Sequence, residues 1–163
     1  MHREQDLERM SEYNITTSLF INHVYYWGDP HRDIFLGPES AKNLNPLASV
    51  INHDILFTLH SDCPITPISP FFSIWTAVNR ITKDEEILGE EQRISVEEAL
   101  KSMTIYGAQL NSTEDFNGSI EENKIADFII VDKNPWKAQP VDIKDIKIIK
   151  TIIGGEIVYD RNN

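Results

Sequence analysis

Two short apolar runs constrain this chain more than any other feature. Ile15 to Ile21 is rich in Ile, Thr and Phe, and Ile55 to Leu59 reads ILFTL. Both have strand composition, and each leads through a loop into a helical stretch. A near-continuous apolar run such as ILFTL suits a strand covered on both faces, the condition inside a parallel sheet flanked by helices. The alternation strand–helix–strand–helix therefore predicts βα units of a parallel sheet. Two such units cannot cover a sheet. The 163 residues also fall short of the roughly 250 that a closed (β/α) barrel uses. The chain is expected to be an α/β protein that forms part of something larger, with some apolar surface facing neighbours it does not supply.

The remaining elements are placed around these strands. Arg3 to Tyr13 is polar, with Leu7 and Met10 at helical spacing, and reads as a helix or the stub of one. His23 to Asp33 (HVYYWGDPHRD) reads as a loop, because Gly28 and Pro30 punctuate it. Gly37-Pro38 starts a second helical stretch. Asn45-Pro46 reads as an N-cap with proline at the first helical position, opening a helix to about Asn52. Pro64, Pro67 and Pro70 mark a loop after the ILFTL strand. Phe71, Ile74, Trp75, Val78 and Ile81 then recur at three- and four-residue spacing, an amphipathic helix expected to pack outside the strands. Lys83 to Gln92 reads as an acidic, solvated connection. Ser95 with Glu98 forms a capping-box pattern ahead of Val96, Ala99, Leu100 and Met103. After about Asn111 the texture changes. Phe128–Val131, Ile146–Ile153 and Glu156–Tyr159 read as strands, with Gly154-Gly155 as a two-residue hairpin turn. These strands predict a separate antiparallel layer.

Charge narrows the choice of partners. Fifteen basic and 26 acidic residues leave a net charge of −11. Such a surface repels phosphate backbones and anionic membranes, so neither nucleic acid nor a membrane is an expected partner. No apolar run reaches the roughly 18 residues of a bilayer span. The start, Met1-His2-Arg3-Glu4, lacks the apolar core of a secretory signal. The single cysteine, Cys63, allows no internal disulfide and suits a reducing compartment, so the expected location is cytoplasmic. On that expectation the glycosylation sequons at Asn14, Asn111 and Asn117 are chance matches.

Among possible chemical groups Asp62 stands out, because it follows a buried strand directly in TLHSDCP. In βα folds, ligands and catalytic groups collect just past the carboxyl ends of strands. A carboxylate there can bind a cation or accept a proton from water. The competing reading is an Asp that caps the following turn. His60 ends the same strand, and His23 ends the other, so the three share one rim. Tyr25, Tyr26 and Trp27 could line a pocket or pack on the domain surface, and Asp29 follows in a Gly-Asp turn. No two histidines have the spacing of a zinc pair: His53 reads as a helix-end residue, His31 as a solvated loop residue, and His2 matches no strand end. Cys63 has no activating base nearby in sequence and reads as an inert thiol.

Three segments carry a family resemblance. NHVYYWGDPHRDIFLGPE (Asn22 to Glu39), TLHSDCPITP (Thr58 to Pro67) and SIWTAVNR (Ser73 to Arg80) resemble the amidohydrolase superfamily. The nearest branch is the amidohydrolase-3 group of metal-dependent hydrolases, which includes N-substituted formamide deformylases. GSIEENKIADFIIVDKNP (Gly118 to Pro135) and TIIGGEIVYD (Thr151 to Asp160) resemble the strands of that family's small β-sandwich. The resemblance implies the C-terminal part of a TIM (β/α)8 barrel, about the last two βα units, over residues 1–112. Strands of a partial β-sandwich follow over residues 113–163. It implies that Asp62 is both a metal ligand and the catalytic base, and that His23, Trp27, Asp29 and His60 face a small amide substrate. It also implies a divalent metal, zinc, in the complete enzyme. The family's His-x-His pair and its later ligands have no counterpart here, and Glu121-Glu122-Asn123-Lys124 stands where a Glu-Pro-Gly-Lys turn is usual. Two alternatives accompany the hydrolase reading: a non-catalytic remnant holding no metal of its own, and an assembly module. The module would need a missing N-terminal half or a homo-oligomeric partner.

Overall fold

The computed structural model describes residues 4–162. The sequence-predicted N-terminal helix is α1, Glu4–Glu12, anchored by buried Leu7; His2 and Arg3 lie outside the described residues. Then follow β1 (Thr17–Phe20), α2 (Asn22–Pro30), a π-helical turn (His31–Phe35), α3 (Pro38–Ala41) and α4 (Leu47–Asn52). After these come β2 (Phe57–His60), α5 (Pro70–Asn79), α6 (Val96–Ser102) and α7 (Ile105–Leu110). The last part holds β3 (Phe128–Val131), a 3₁₀ segment (Pro140–Asp145), β4 (Ile148–Ile153) and β5 (Glu156–Asp160).

β1 and β2 pair in parallel, from Thr17 opposite Phe57 to Phe20 opposite His60. Leu19, Phe57 and Leu59 are buried, as the apolar run requires. α5 is less amphipathic than its spacing suggests. Polar residues Ser73, Thr76 and Asn79 are as buried as Ile74 and Trp75. The cause is a second neighbour, the Pro140–Asp145 segment. Trp75 Nε1 donates to Val141 O at 3.0 Å, and Asn79 Nδ2 donates to Pro140 O at 2.9 Å. Ile143 and Ile146 thereby join the same core as the β1–β2 strands. α5 stops at Asn79 rather than Ile81, because Arg80 adopts a left-handed conformation (φ 54°).

The second sheet has the order β3-β4-β5 and is antiparallel throughout. Gly154 and Gly155 both have positive φ, which the two-residue primed turn demands. Ser95 Oγ accepts the Glu98 amide at 3.1 Å, as the capping pattern predicts. The Glu98 carboxylate instead takes Tyr106 Oη at 2.9 Å, tying α6 to α7, a helix the sequence reading does not separate.

Three local expectations are corrected. His23 to Asp33 is not a loop. Gly28 sits inside α2 because a Cβ there would lie 2.9 Å from Thr82 Cγ2 and 3.0 Å from Leu88 Cδ2, so it serves close packing. Pro30 occupies the last turn, after which the helix widens and Leu36 N donates back to His31 O. Asn45 does not cap α4; it is itself left-handed (φ 50°), and its Nδ2 donates to Phe20 O at 3.0 Å. Lys83 to Gln92 is only partly solvated, since Leu88 and Gln92 are buried and Gln92 bonds α4 through Ser49.

Candidate functional site

The parallel register brings the carboxyl ends of β1 and β2 to one level, and their last residues, Phe20 and His60, stack with ring centroids 5.4 Å apart. α2 begins immediately beyond β1, so its first turn projects over the same rim. His23, Trp27 and His31 recur at four-residue spacing and form one stripe. His23 lies 5.3 Å from Phe20, 5.0 Å from Trp27 and 4.8 Å from His31. A cleft of about 310 Å³ opens beside this stripe, with Phe20, His23, Asn45 and His60 in its walls. Asn45 fixes the end of β1 through its bond to Phe20 O.

Burial pushes the His23 imidazole below its ordinary pKa, and the neighbouring His31 adds to the shift. His31, expected in solvent, is partly covered. Its Nδ1 is buried with no hydrogen-bond partner among the described residues.

Asp62 follows β2 by two residues and is exposed, with φ 52°. The Ile65 amide donates at 2.7 Å to the Asp62 main-chain carbonyl, and among the described residues no hydrogen bond reaches the Asp62 carboxylate. Asp29 lies on a different face of α2 and is buried. Its Oδ2 accepts the Asp84 amide at 3.1 Å, and its Oδ1 lies 3.3 Å from Arg32 Nη1. Its carboxylate is committed to holding the 82–86 turn, and the structure does not bring it to the rim. Cys63 is exposed beside Asp62. His53 is a helix-end residue, with Nδ1 2.8 Å from Ser49 O and Nε2 3.2 Å from Glu4.

The chemistry of the donor set does not fit a complete metal site. Among the described residues no three His, Cys, Asp or Glu side chains gather closely enough to hold an ion, and one carboxylate rarely holds zinc alone. A larger cleft of about 570 Å³ lies between the start of α5 and β4–β5, with Phe71, Lys147, Tyr159 and Arg161 in its walls. None of the strand-end residues lines it.

Sequence reading misses a buried polar group behind the rim. Asn22 Nδ2 donates to Thr66 Oγ1 at 3.0 Å, and Ser73 Oγ donates to Asn22 Oδ1 at 2.9 Å. Asn22 directly after a strand was the one available sign.

A parallel βα pair with histidine and aspartate at its carboxyl ends belongs to the large class of α/β proteins that build their sites at strand ends. Within that class the assignment is specific: the sequence profile of the Amidohydrolase family matches residues 1–159, and the chain belongs to that family. It is 25% identical over 154 residues to an N-substituted formamide deformylase of Arthrobacter pascens, covering 94% of this chain and 28% of the relative. It is 35% identical over 152 residues to the protein LONG AFTER FAR-RED 3 of Arabidopsis thaliana, covering 93% of this chain and 26% of the relative. An uncharacterized metal-dependent hydrolase from Pyrococcus furiosus superposes with a TM-score of 0.68 at 29% identity, over 83% of this chain and 27% of that one. The chain therefore spans about a quarter of the length of these relatives. The family is one of hydrolases, and the Pyrococcus furiosus protein is described as metal-dependent. Among the described residues no helix is long and apolar enough to cross a membrane.

Proposed function

We propose that this chain is the C-terminal part of a metal-dependent amidohydrolase that cleaves a non-peptide carbon–nitrogen bond in a small amide, in the cytoplasm. β1 and β2 are its last two barrel strands, and β3–β5 belong to its small β-sandwich. The observation that carries the reading is the in-register end of β1 and β2, with His60 ending β2 and His23 and Asp62 just past the two strands. Asp62 is the proton acceptor: its exposed carboxylate takes a proton from the attacking water and returns it to the leaving amine. His23, Trp27 and His60 contact the substrate. Asp62 would contribute one ligand to a divalent ion, zinc, whose other ligands would come from outside the described residues.

The test is zinc content and amide hydrolysis of the purified chain, alone and mixed with a polypeptide carrying the family's His-x-His strand. Alone, the chain is expected to hold less than stoichiometric zinc and to show no amidase activity. In the mixture, activity appears and Asp62→Asn abolishes it. One tightly bound zinc per isolated chain, lost on Asp62→Ala, would overturn the view that the site is shared. Full activity of Asp62→Asn in the mixture would overturn the role of Asp62. A second reading, an assembly module without catalysis, draws on the exposed apolar residues Phe128, Ile129 and Ile130 of β3. It predicts a stable mixed complex with no hydrolysis.

A further inference from the structure

We propose that Asn22, Thr66 and Ser73 are positioning residues that hold Asp62 at the rim through a buried relay of hydrogen bonds. The proposal rests on the reading of Asp62 as the proton acceptor. All three residues are at most 1% exposed. They come from three separate places: Asn22 from the start of α2, Thr66 from the loop after β2, and Ser73 from α5. Each donor has a defined direction. Ser73 Oγ donates to Asn22 Oδ1 at 2.9 Å, with a longer approach to Ser69 O at 3.4 Å. Asn22 Nδ2 donates to Thr66 Oγ1 at 3.0 Å, and Thr66 Oγ1, having one proton, spends it on Ser61 O. Ser61 immediately precedes Asp62.

Burying an amide and two hydroxyls is costly unless each is satisfied, and valine or leucine would fill the same space at lower cost. The relay ends on the one backbone carbonyl adjacent to Asp62. Asp62 itself is in the left-handed region, φ 52°, which a single Asp tolerates at modest cost when neighbouring bonds hold it there. Two bonds impose it: Thr66 to Ser61 O on one side, and the Ile65 amide to Asp62 O at 2.7 Å on the other. The relay thus fixes the loop that carries the carboxylate against both α2, which carries His23, and α5.

The Ile65 amide is a direct reporter, because its acceptor is the Asp62 carbonyl. Native-state hydrogen exchange of the purified chain is measured at Ile65 and, as a reference for the core, at Ile55, whose amide donates to Val50 O at 3.1 Å. Losing one buried hydrogen bond corresponds to about a tenfold change in a local opening equilibrium. Thr66→Val is expected to speed Ile65 exchange about tenfold while Ile55 is unchanged, and Thr66→Ser, which keeps the hydroxyl, to restore it. Ser73→Ala is expected to act in the same direction and serves if Thr66→Val does not fold. Unchanged Ile65 exchange in Thr66→Val and Ser73→Ala would overturn the proposal, and so would equal acceleration at Ile55, which would mean a fold-wide role. In the mixed-chain activity assay Thr66→Val is expected to lower kcat with KM unchanged. If Asp62→Asn abolishes activity while Ile65 exchange ignores the relay, the positioning role fails and the reading of Asp62 stands. If Asp62→Asn is fully active, the reading fails and the positioning role with it, whatever Ile65 shows.

Discussion

Replacing Arg80 by methionine removes a cation that is fully buried. Its Nε donates to Leu88 O at 2.7 Å, Nη1 to Asn45 O at 3.0 Å, and Nη2 to Leu44 O at 2.7 Å and more weakly to Lys42 O at 3.4 Å. One side chain therefore ties the turn between α3 and α4, which also holds the end of β1, to the segment after α5. Burial pulls the guanidinium pKa down to about 10, so it remains charged at pH 7. Three short bonds from a charged donor, at about 1.5–3 kcal/mol each, amount to roughly 5–9 kcal/mol gross. Removing the cation recovers a desolvation cost of several kcal/mol. Methionine fills most of the volume and carries the same left-handed backbone, so strain cancels. The net expectation is a loss of about 3 kcal/mol. Arg80→Lys should lose at least as much, because an ammonium cannot reach carbonyls spread as the guanidinium fork reaches them. Urea unfolding followed by circular dichroism at pH 7 measures both variants. A loss below about 1 kcal/mol for methionine would refute the reasoning, since apolar replacement would then match the buried charge as it does in some buried ion pairs.

Gly89→Ala should be worse than ordinary overpacking. Its φ is +69°, and an added Cβ would lie 2.1 Å from the Lys42 carbonyl oxygen, so about 3 kcal/mol or more is expected from the same unfolding assay. Trp75→Phe removes the indole donor to Val141 O and should cost about 1–2 kcal/mol. His23 titrates below its ordinary pKa in the folded state, first because of burial and then because of His31. The folded state thus binds fewer protons than the unfolded chain as pH falls through the histidine's usual value near 6.5. Stability is full above that pH and declines below it. His23→Phe keeps the ring contacts and should flatten the fall in melting temperature between pH 7 and pH 5.

What could be read in advance depended on how far each residue's partner lay along the chain. The ILFTL strand, the Ser95 cap and the Gly154-Gly155 turn state their reasons within a few residues, and all are found. The position of Asp62 was readable for the same reason, since it needs only the strand before it. α2 was not readable, because Gly28 answers to Thr82 and Leu88, more than fifty residues away. Asp29 looked like a rim residue because its acceptor role for the Asp84 amide, 55 residues on, leaves no local trace. The Asn22 relay spans 44 and 51 residues and was hidden on the same ground.

The same logic gives the β3 segment a further meaning. FIIV is an apolar run without alternation, the composition of a strand covered on both faces. Phe128, Ile129 and Ile130 are nevertheless 39%, 46% and 44% exposed, so residues pointing to opposite faces are equally uncovered. Pairing with β4 satisfies the backbone along one edge of β3 and does nothing for these side chains. ILFTL has the same kind of composition, and α5, α6 and α7 contact β2; Ile55, Phe57 and Leu59 are buried, with Leu56 and Thr58 on the other face half-buried. Composition therefore reports the environment a strand is suited to, and coordinates report the one it has. The two agree on the face of β2 that carries Phe57 and Leu59, which this chain covers itself. Where they disagree, as at β3, the mismatch marks apolar surface left uncovered on both faces of the strand.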